Sequence, residues 1–69
     1  MSYNRRKVMR AMKKRGVSVV REGAGHTIIR SPGGRQSSLP RRSKLDRLTT
    51  RAVMKQLGLD WDDVQKDLA

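Results

Sequence analysis

At 69 residues the chain is expected to form a single domain over 1–69, and a domain this short buries only about 60% of the surface its unfolded chain exposes. It has no cysteine and one histidine, which excludes a disulfide staple and a thiolate or multi-histidine zinc site as supplements to a small core. Seventeen Lys and Arg against six Asp and Glu give a formal charge of +11, far beyond what solubility requires, and point to a polyanionic partner.

In chain order, Asn4 is suited to cap a helix over 5–15, in which Val8, Ala11 and Met12 form one stripe with Met9 at its edge and Gly16 as the stop. Arg6, Arg10, Lys13 and Lys14 fall on the opposite face. The stripe is short and lacks a large aromatic anchor, so packing on a sheet is expected rather than lying on an anionic membrane. Strands are expected over 17–22, 26–31 and 35–39, bounded by Gly23-Ala24-Gly25 and Pro32-Gly33-Gly34, as a three-stranded antiparallel meander. Val17 and Val19 alternate with Ser18, but Val20, Ile28 and Ile29 blur the period. Periodicity therefore does not say which sheet face is buried, and the facing of His26 stays open.

Residues 40–47 bring Arg41, Arg42, Lys44 and Arg47 with few apolar side chains, which suits a surface connection anchored by Leu45 and able to reach phosphates. Thr49 is the expected N-cap of a helix ending at Leu57, with Leu48 and Val53 as its hydrophobic staple and Gly58 as its stop. Asp60 caps a last short helix with Leu59 and Val64 as a second staple and Trp61, Val64 and Leu68 on one face. Asp62 and Asp63 suit the dipole of that helix, so they are helix-start residues rather than metal ligands, and neither metal nor cofactor is expected. The order of elements is that of an α+β domain with helices on one face of a small sheet.

Charge is unevenly placed along this order. Residues 1–59 carry 16 basic against 2 acidic side chains, a net +14, and residues 60–69 a net −3, so the basic body is the candidate binding surface. Charge alone does not separate RNA from DNA. No stretch is apolar enough to span a bilayer, and the basic N-terminus is not followed by the apolar block of a secretory signal. The expectation is a cytoplasmic protein without a membrane partner.

Cleaving RNA without a metal needs a base to take the proton from a ribose 2′-hydroxyl, and positive charge or hydrogen-bond donors to stabilise the phosphorane. Histidine is the residue type whose ordinary pKa, about 6.5, suits that base, and His26 is the single one present. It follows Gly23-Ala24-Gly25, where the lack of bulky side chains lets the backbone at Gly25 approach a phosphate or ribose. Arg21 and Arg30 are the positive charges nearest in sequence. On a regular strand Arg30 shares the side of His26, with room for a phosphate between them. The plainer alternative is an exposed histidine that begins a strand. Two-histidine chemistry is impossible in a monomer, and a triad through Ser37 or Ser38 lacks the strained nucleophile turn. Neither glycine-rich turn has the lysine or helix start of a nucleotide loop.

The succession of residues 7–16, a strand, a glycine-rich turn ending in His26, Pro32-Gly33, Pro40, Leu48-Thr49-Thr50 and Met54-Lys55-Gln56-Leu57-Gly58-Leu59 resembles the HicA toxins over roughly residues 7–65. The resemblance implies a fold like the double-stranded RNA-binding domain and a ribonuclease that arrests translation by cutting messenger RNA. It also implies a HicB antitoxin as partner, masking the site. His26 carries over as the catalytic histidine. The family's usual Gly-Ser-His stands here as Ala24-Gly25-His26, so the hydroxyl beside the histidine is lost. A histidine frequent after the third-strand proline is replaced by Arg41, which keeps charge and rules out proton transfer by that group. The usual Gly-Thr before the penultimate helix is Leu48-Thr49. With Arg21, Gly25, Arg30, Arg41, Arg42 and Lys44 as RNA contacts, the rival functions are a non-catalytic RNA-binding module of the same fold and a DNA-binding or ribosome-associated basic protein. An acidic inhibitor could neutralise Arg30, Arg41, Arg42 and Lys44 and stabilise a marginal fold by mass action.

Overall fold

A computed structural model describes residues 2–68. Its elements are β1 (Ser2–Asn4), α1 (Arg5–Lys14), β2 (Ser18–Glu22), β3 (His26–Arg30), β4 (Gln36–Pro40), β5 (Lys44–Asp46), α2 (Arg47–Leu57) and α3 (Trp61–Lys66). The expected meander is present as an antiparallel sheet in the order β2-β3-β4, and the helices cover one of its faces. This is a small α+β fold. No helix among the described residues is long and apolar enough to cross a membrane.

α1 forms as its sequence dictates. Asn4 is extended and its side chain accepts from the Arg6 backbone N–H at 2.8 Å, satisfying one of the orphan donors of the first turn. Val8, Ala11 and Met12 are buried on the core stripe, and Lys13 and Lys14 sit where the dipole favours cations. Gly16 ends the helix in the left-handed region at φ 84, with its N–H on the Lys13 carbonyl and that of Val17 on the Met12 carbonyl. Glycine is required there twice over, because a Cβ would also stand 2.7 Å from the Pro32 ring.

Sheet facing, which periodicity left open, is decided by packing. Thr27 and Ile29 of β3 and Ser37 and Leu39 of β4 point into the core, so His26, Ile28 and Arg30 lie on the opposite, open face with Ser38. The blurred period of β2 has a structural cause. A bulge falls between Val19, paired with Ile29, and Arg21, paired with Ile28, so two residues of like parity face opposite sides and Val20 is the extra one.

The connection after Pro40 departs from expectation. It contains β5, which pairs antiparallel with β1 through Tyr3↔Leu45, and both of those side chains are buried. Leu45 is thus an anchor, but as the inward residue of a strand. Three-residue strands with one buried position each show too little alternation to be seen in sequence. The same pairing corrects the start of α2. Asp46, held extended opposite Ser2, is the N-cap and accepts from the Thr49 N–H at 3.3 Å, while Thr49 lies inside the helix. Leu48 is 78% exposed, so it makes no staple with the buried Val53. Thr50 is buried and returns its hydroxyl to the Asp46 carbonyl at 2.8 Å. Gly58, at φ 77, ends α2 as expected.

In α3, Asp60 caps the Asp62 N–H at 3.1 Å, and Val64 and Leu68 are buried with Trp61 and Leu59 packed against the core. Trp61 meets Tyr3 edge to face at a centroid distance of 6.0 Å. Two other carboxylates of this segment, Asp63 and Asp67, pin the helix down. Arg15 donates to Asp63 at 2.9 Å, to Asp67 at 2.8 Å and to the Ala11 carbonyl at 2.8 Å, tying the end of α1 to α3. The hydrogen bond from Arg15 holds the Asp67 carboxyl below its ordinary range, and the Thr49 hydrogen bonds do the same for Asp46. A carboxyl lowered on folding adds stability that is complete above its unfolded value and is lost as pH falls through the folded one. The melting temperature should therefore decline below about pH 4. Arg15→Ala should lower the neutral plateau and make that decline shallower, as read by circular dichroism melts from pH 7 to pH 2; an unchanged acid slope would remove the Arg15–Asp67 pair from the account.

Candidate functional site

His26 opens β3 immediately after the Gly23-Ala24-Gly25 turn, and its side chain is exposed on the open sheet face. Its backbone is fixed from both sides. The Gly23 N–H donates to the His26 carbonyl at 2.8 Å, and His26 stands opposite Pro40 in the ladder with β4. Beneath it, on the helix side of the sheet, the Arg5 guanidinium donates to the buried Thr27 hydroxyl at 2.7 Å, and that hydroxyl donates to Glu22 at 3.3 Å. This chain of contacts ties the N-terminus of α1 to β2 and β3 at the residue next to the histidine. No sequence signal marks it, because it depends on which face Thr27 takes.

Of the predicted contact residues, three gather at this end of the sheet. Arg21 shares the open face because the bulge reverses its parity, and it sits diagonally across from His26, about 7–8 Å away between Cα atoms. Gly25 adopts no positive φ, and a Cβ there would meet nothing within 4 Å. Its lack of a side chain therefore serves no backbone need and leaves the surface beside His26 open. Arg41 continues the β4 ladder onto the Gly25 carbonyl at 3.3 Å and folds its guanidinium back to the Gly23 carbonyl at 3.2 Å. It clamps the turn while keeping a charge at its rim.

The other three are elsewhere. Arg30 shares the face of His26, but four residues along a strand is about 13 Å, and its guanidinium is held on Gln36 at 3.1 and 2.5 Å. One phosphate cannot be bracketed by His26 and Arg30 together; the two would meet separate phosphates. Arg42 follows on the connection, where its charge helps lower the Asp46 carboxyl. Lys44 stands on β5 opposite Asn4, in the second strand pair. Among the described residues, neither hydrogen-bonds to the histidine turn.

No family model, curated protein or solved structure matches this chain.

One residue enters the site that sequence reasoning weighed only as a nucleophile. Ser38 is exposed opposite Ile28, diagonal to His26 on the β4 side, which makes its hydroxyl a hydrogen-bond donor for a phosphate oxygen. Ser37, by contrast, is buried and donates to Gln56 of α2. The signal was there in the alternation of Gln36 to Pro40, once the facing of Leu39 is known. Both aromatics go the other way. Tyr3 is buried and Trp61 packs against it, so neither offers a platform for a stacked base. Asp63 and Asp67 are ion-paired with Arg15.

Because Gly25 borders open space, a bulky residue there tests access apart from folding. Gly25→Leu should leave stability within about 0.5 kcal/mol, while RNA affinity measured by fluorescence anisotropy drops at least about tenfold if RNA runs over this turn. Unchanged affinity would move the RNA path off the turn.

Proposed function

We propose that the protein is a metal-independent endoribonuclease of the HicA type, with a fold like the double-stranded RNA-binding domain, that cuts messenger RNA in the cytoplasm and so inhibits translation. The observation that carries the reading is the exposed His26 on an open sheet face, with Arg21 and Ser38 on its two diagonals and a turn without bulky side chains clamped by Arg41 beside it. In this reading a phosphodiester lies over the turn with its ribose against His26. The histidine takes the 2′-hydroxyl proton as the 2′-oxygen attacks phosphorus, and Arg21, Arg41 and the Ser38 hydroxyl meet the charge that builds on the non-bridging oxygens. The bond from phosphorus to the 5′-oxygen then breaks. That oxygen takes its proton from water or from His26 acting in turn, leaving a 2′,3′-cyclic phosphate and a 5′-hydroxyl. Arg30, Arg42 and Lys44 hold phosphates farther along the strand, without regard to sequence. With no aromatic available for stacking, base preference is expected to be weak.

A second reading, an RNA-binding module of the same fold, draws on one observation. Among the described residues no side chain or backbone group hydrogen-bonds the His26 ring, so nothing in the free protein orients it as a buried partner orients the histidine of a triad. Catalytic hydrogen bonds in unliganded sites often tighten only with substrate bound, which keeps the ribonuclease reading ahead. The deciding experiment is incubation of purified protein with a labelled single-stranded RNA in EDTA, beside the same strand with every 2′-hydroxyl removed. Cleavage of the first to 2′,3′-cyclic phosphate ends, and not of the second, supports the enzyme. Binding of the RNA without cleavage supports the module. The partner proposed with the enzyme is an acidic HicB-type antitoxin covering the His26 face.

A further inference from the structure

β2 is terminal in the order β2-β3-β4, so the backbone donors and acceptors along its outer side have no strand partner. Such an edge is a template for another strand, and proteins usually blunt it with charge, proline or a covering element. Here the edge has the bulge at Val20 and the charges of Arg21 and Glu22, but no proline, and it still carries Val19 at 41% and Val20 at 49% exposure. Alongside the edge runs a groove of about 760 Å³ between α1 and the helix-side face of β2. Met9 and Val19 supply apolar lining, and Arg5, Arg6 and Lys13 supply cations. α1 contains no acidic residue, so Arg6 and Lys13 have no carboxylate one helical turn away. Glu22 is the single acid of the lining and is already an acceptor for the Thr27 hydroxyl, while the buried Arg5 Nε–H has no partner among the described residues.

An unpaired ladder, an apolar floor and a cationic wall are satisfied together by one kind of occupant, an extended polypeptide alternating acidic and apolar side chains. A nucleic acid would answer the cations alone, since the groove has no aromatic side chain for its bases. We propose that the β2 edge and the α1 wall receive an extended acidic segment of a partner protein as an added strand. The inference rests on the reading that an acidic partner restrains this protein, and it adds where that partner grips. Val19 faces the side of Ile29, so the grip lies on the helix side of the sheet, behind the face that carries His26. Holding and masking are then separate jobs on separate faces.

The test uses isotope-labelled full-length His26→Ala protein and three probes: a capped hexapeptide alternating glutamate and valine, its lysine–valine counterpart, and a single-stranded RNA hexamer. The glutamate peptide should give saturable amide shifts at residues 18–22 and at Arg6 and Lys13, with a Kd in the millimolar range or tighter, about 1 mM. The exposed double substitution Arg6→Glu with Lys13→Glu should weaken it at least about tenfold and admit the lysine peptide instead. The proposal is overturned by equal binding of both peptides to the unsubstituted groove, by no saturable shift up to about 10 mM, or by RNA shifting the groove amides in place of the peptide. Cleavage by the wild-type protein, assayed separately, is expected to persist with the groove saturated. Absence of cleavage before any peptide is added would count against the ribonuclease reading and leave the titration result standing.

Discussion

His26→Ala should reduce RNA cleavage by about a thousandfold, within the range a general base contributes, while the protein stays folded and still binds RNA. That loss corresponds to about 4 kcal/mol of transition-state stabilisation. It is expected to be clean because the side chain is exposed and fills no part of the core. The melting temperature should hardly move, as for other surface substitutions. Induced in bacteria, the wild type should arrest growth and shorten the life of a defined messenger RNA, and His26→Ala should do neither. Arg21→Ala and Arg41→Ala are the contrast. In the proposed reading each removes a phosphate contact, so each should weaken binding and reduce the slope of log affinity against log salt by about one. Arg41→Ala also frees the Gly23 carbonyl that its guanidinium holds, and so loosens the turn. If His26→Ala cuts as fast as the wild type in EDTA, the histidine is not the base; if neither protein cuts while both bind RNA, the RNA-binding module replaces the enzyme.

Leu39→Ala should remove a large share of the protein's stability. Leu39 is fully buried, it faces α2 from the strand next to β3, and deleting a buried leucine costs about 2–5 kcal/mol through lost transfer energy and the cavity left behind. A chain of this size has roughly 3–10 kcal/mol in total at the usual 0.05–0.15 kcal/mol per residue. It has no cysteine, so no disulfide adds to that total. Denaturant titration should show the midpoint falling steeply, and cleavage should fall with the folded fraction rather than at the chemical step. Leu39→Met keeps the volume and should cost less than about 1.5 kcal/mol. Leu48→Ala, at a side chain 78% exposed, should be near neutral. A Leu39→Ala protein as stable as the wild type would mean that β4 is not held against α2 as described.

The contrast between Leu39 and Leu48 shows what can be read from a sequence like this one. Leu39 lies two residues before Arg41 and Leu48 directly after Arg47, and in sequence Leu48 looks like the more purposeful of the two, one step before a good capping threonine. The structure reverses the order. Asp46 caps α2 because β5 pairs with β1 and holds its backbone extended, and neither strand is long enough to announce itself. His26 was visible as the single histidine after a glycine-rich turn, and Arg21 as the charge before that turn. Their presence on one face was not visible, because an unmarked bulge at Val20 resets the parity of β2. Arg30 had the right parity and the wrong distance.

What the amino-acid sequence determined by itself was whatever depends on neighbours along the chain. The cap at Asn4, the glycine stops at 16 and 58, the Asp60 cap, the two turns and the +14 charge of the first 59 residues are local or additive properties. The tertiary structure decided everything that needs two distant segments at once. It set the inward facing of Thr27 and Ile29 and hence the exposure of His26, and it placed the Arg41 guanidinium on the histidine turn. It also locked Arg15 to α3 and left open the groove along β2. The physical reason is that burial is shared. Which face of a five-residue strand turns inward is settled by the helices that cover it, and no pattern within the strand carries that choice.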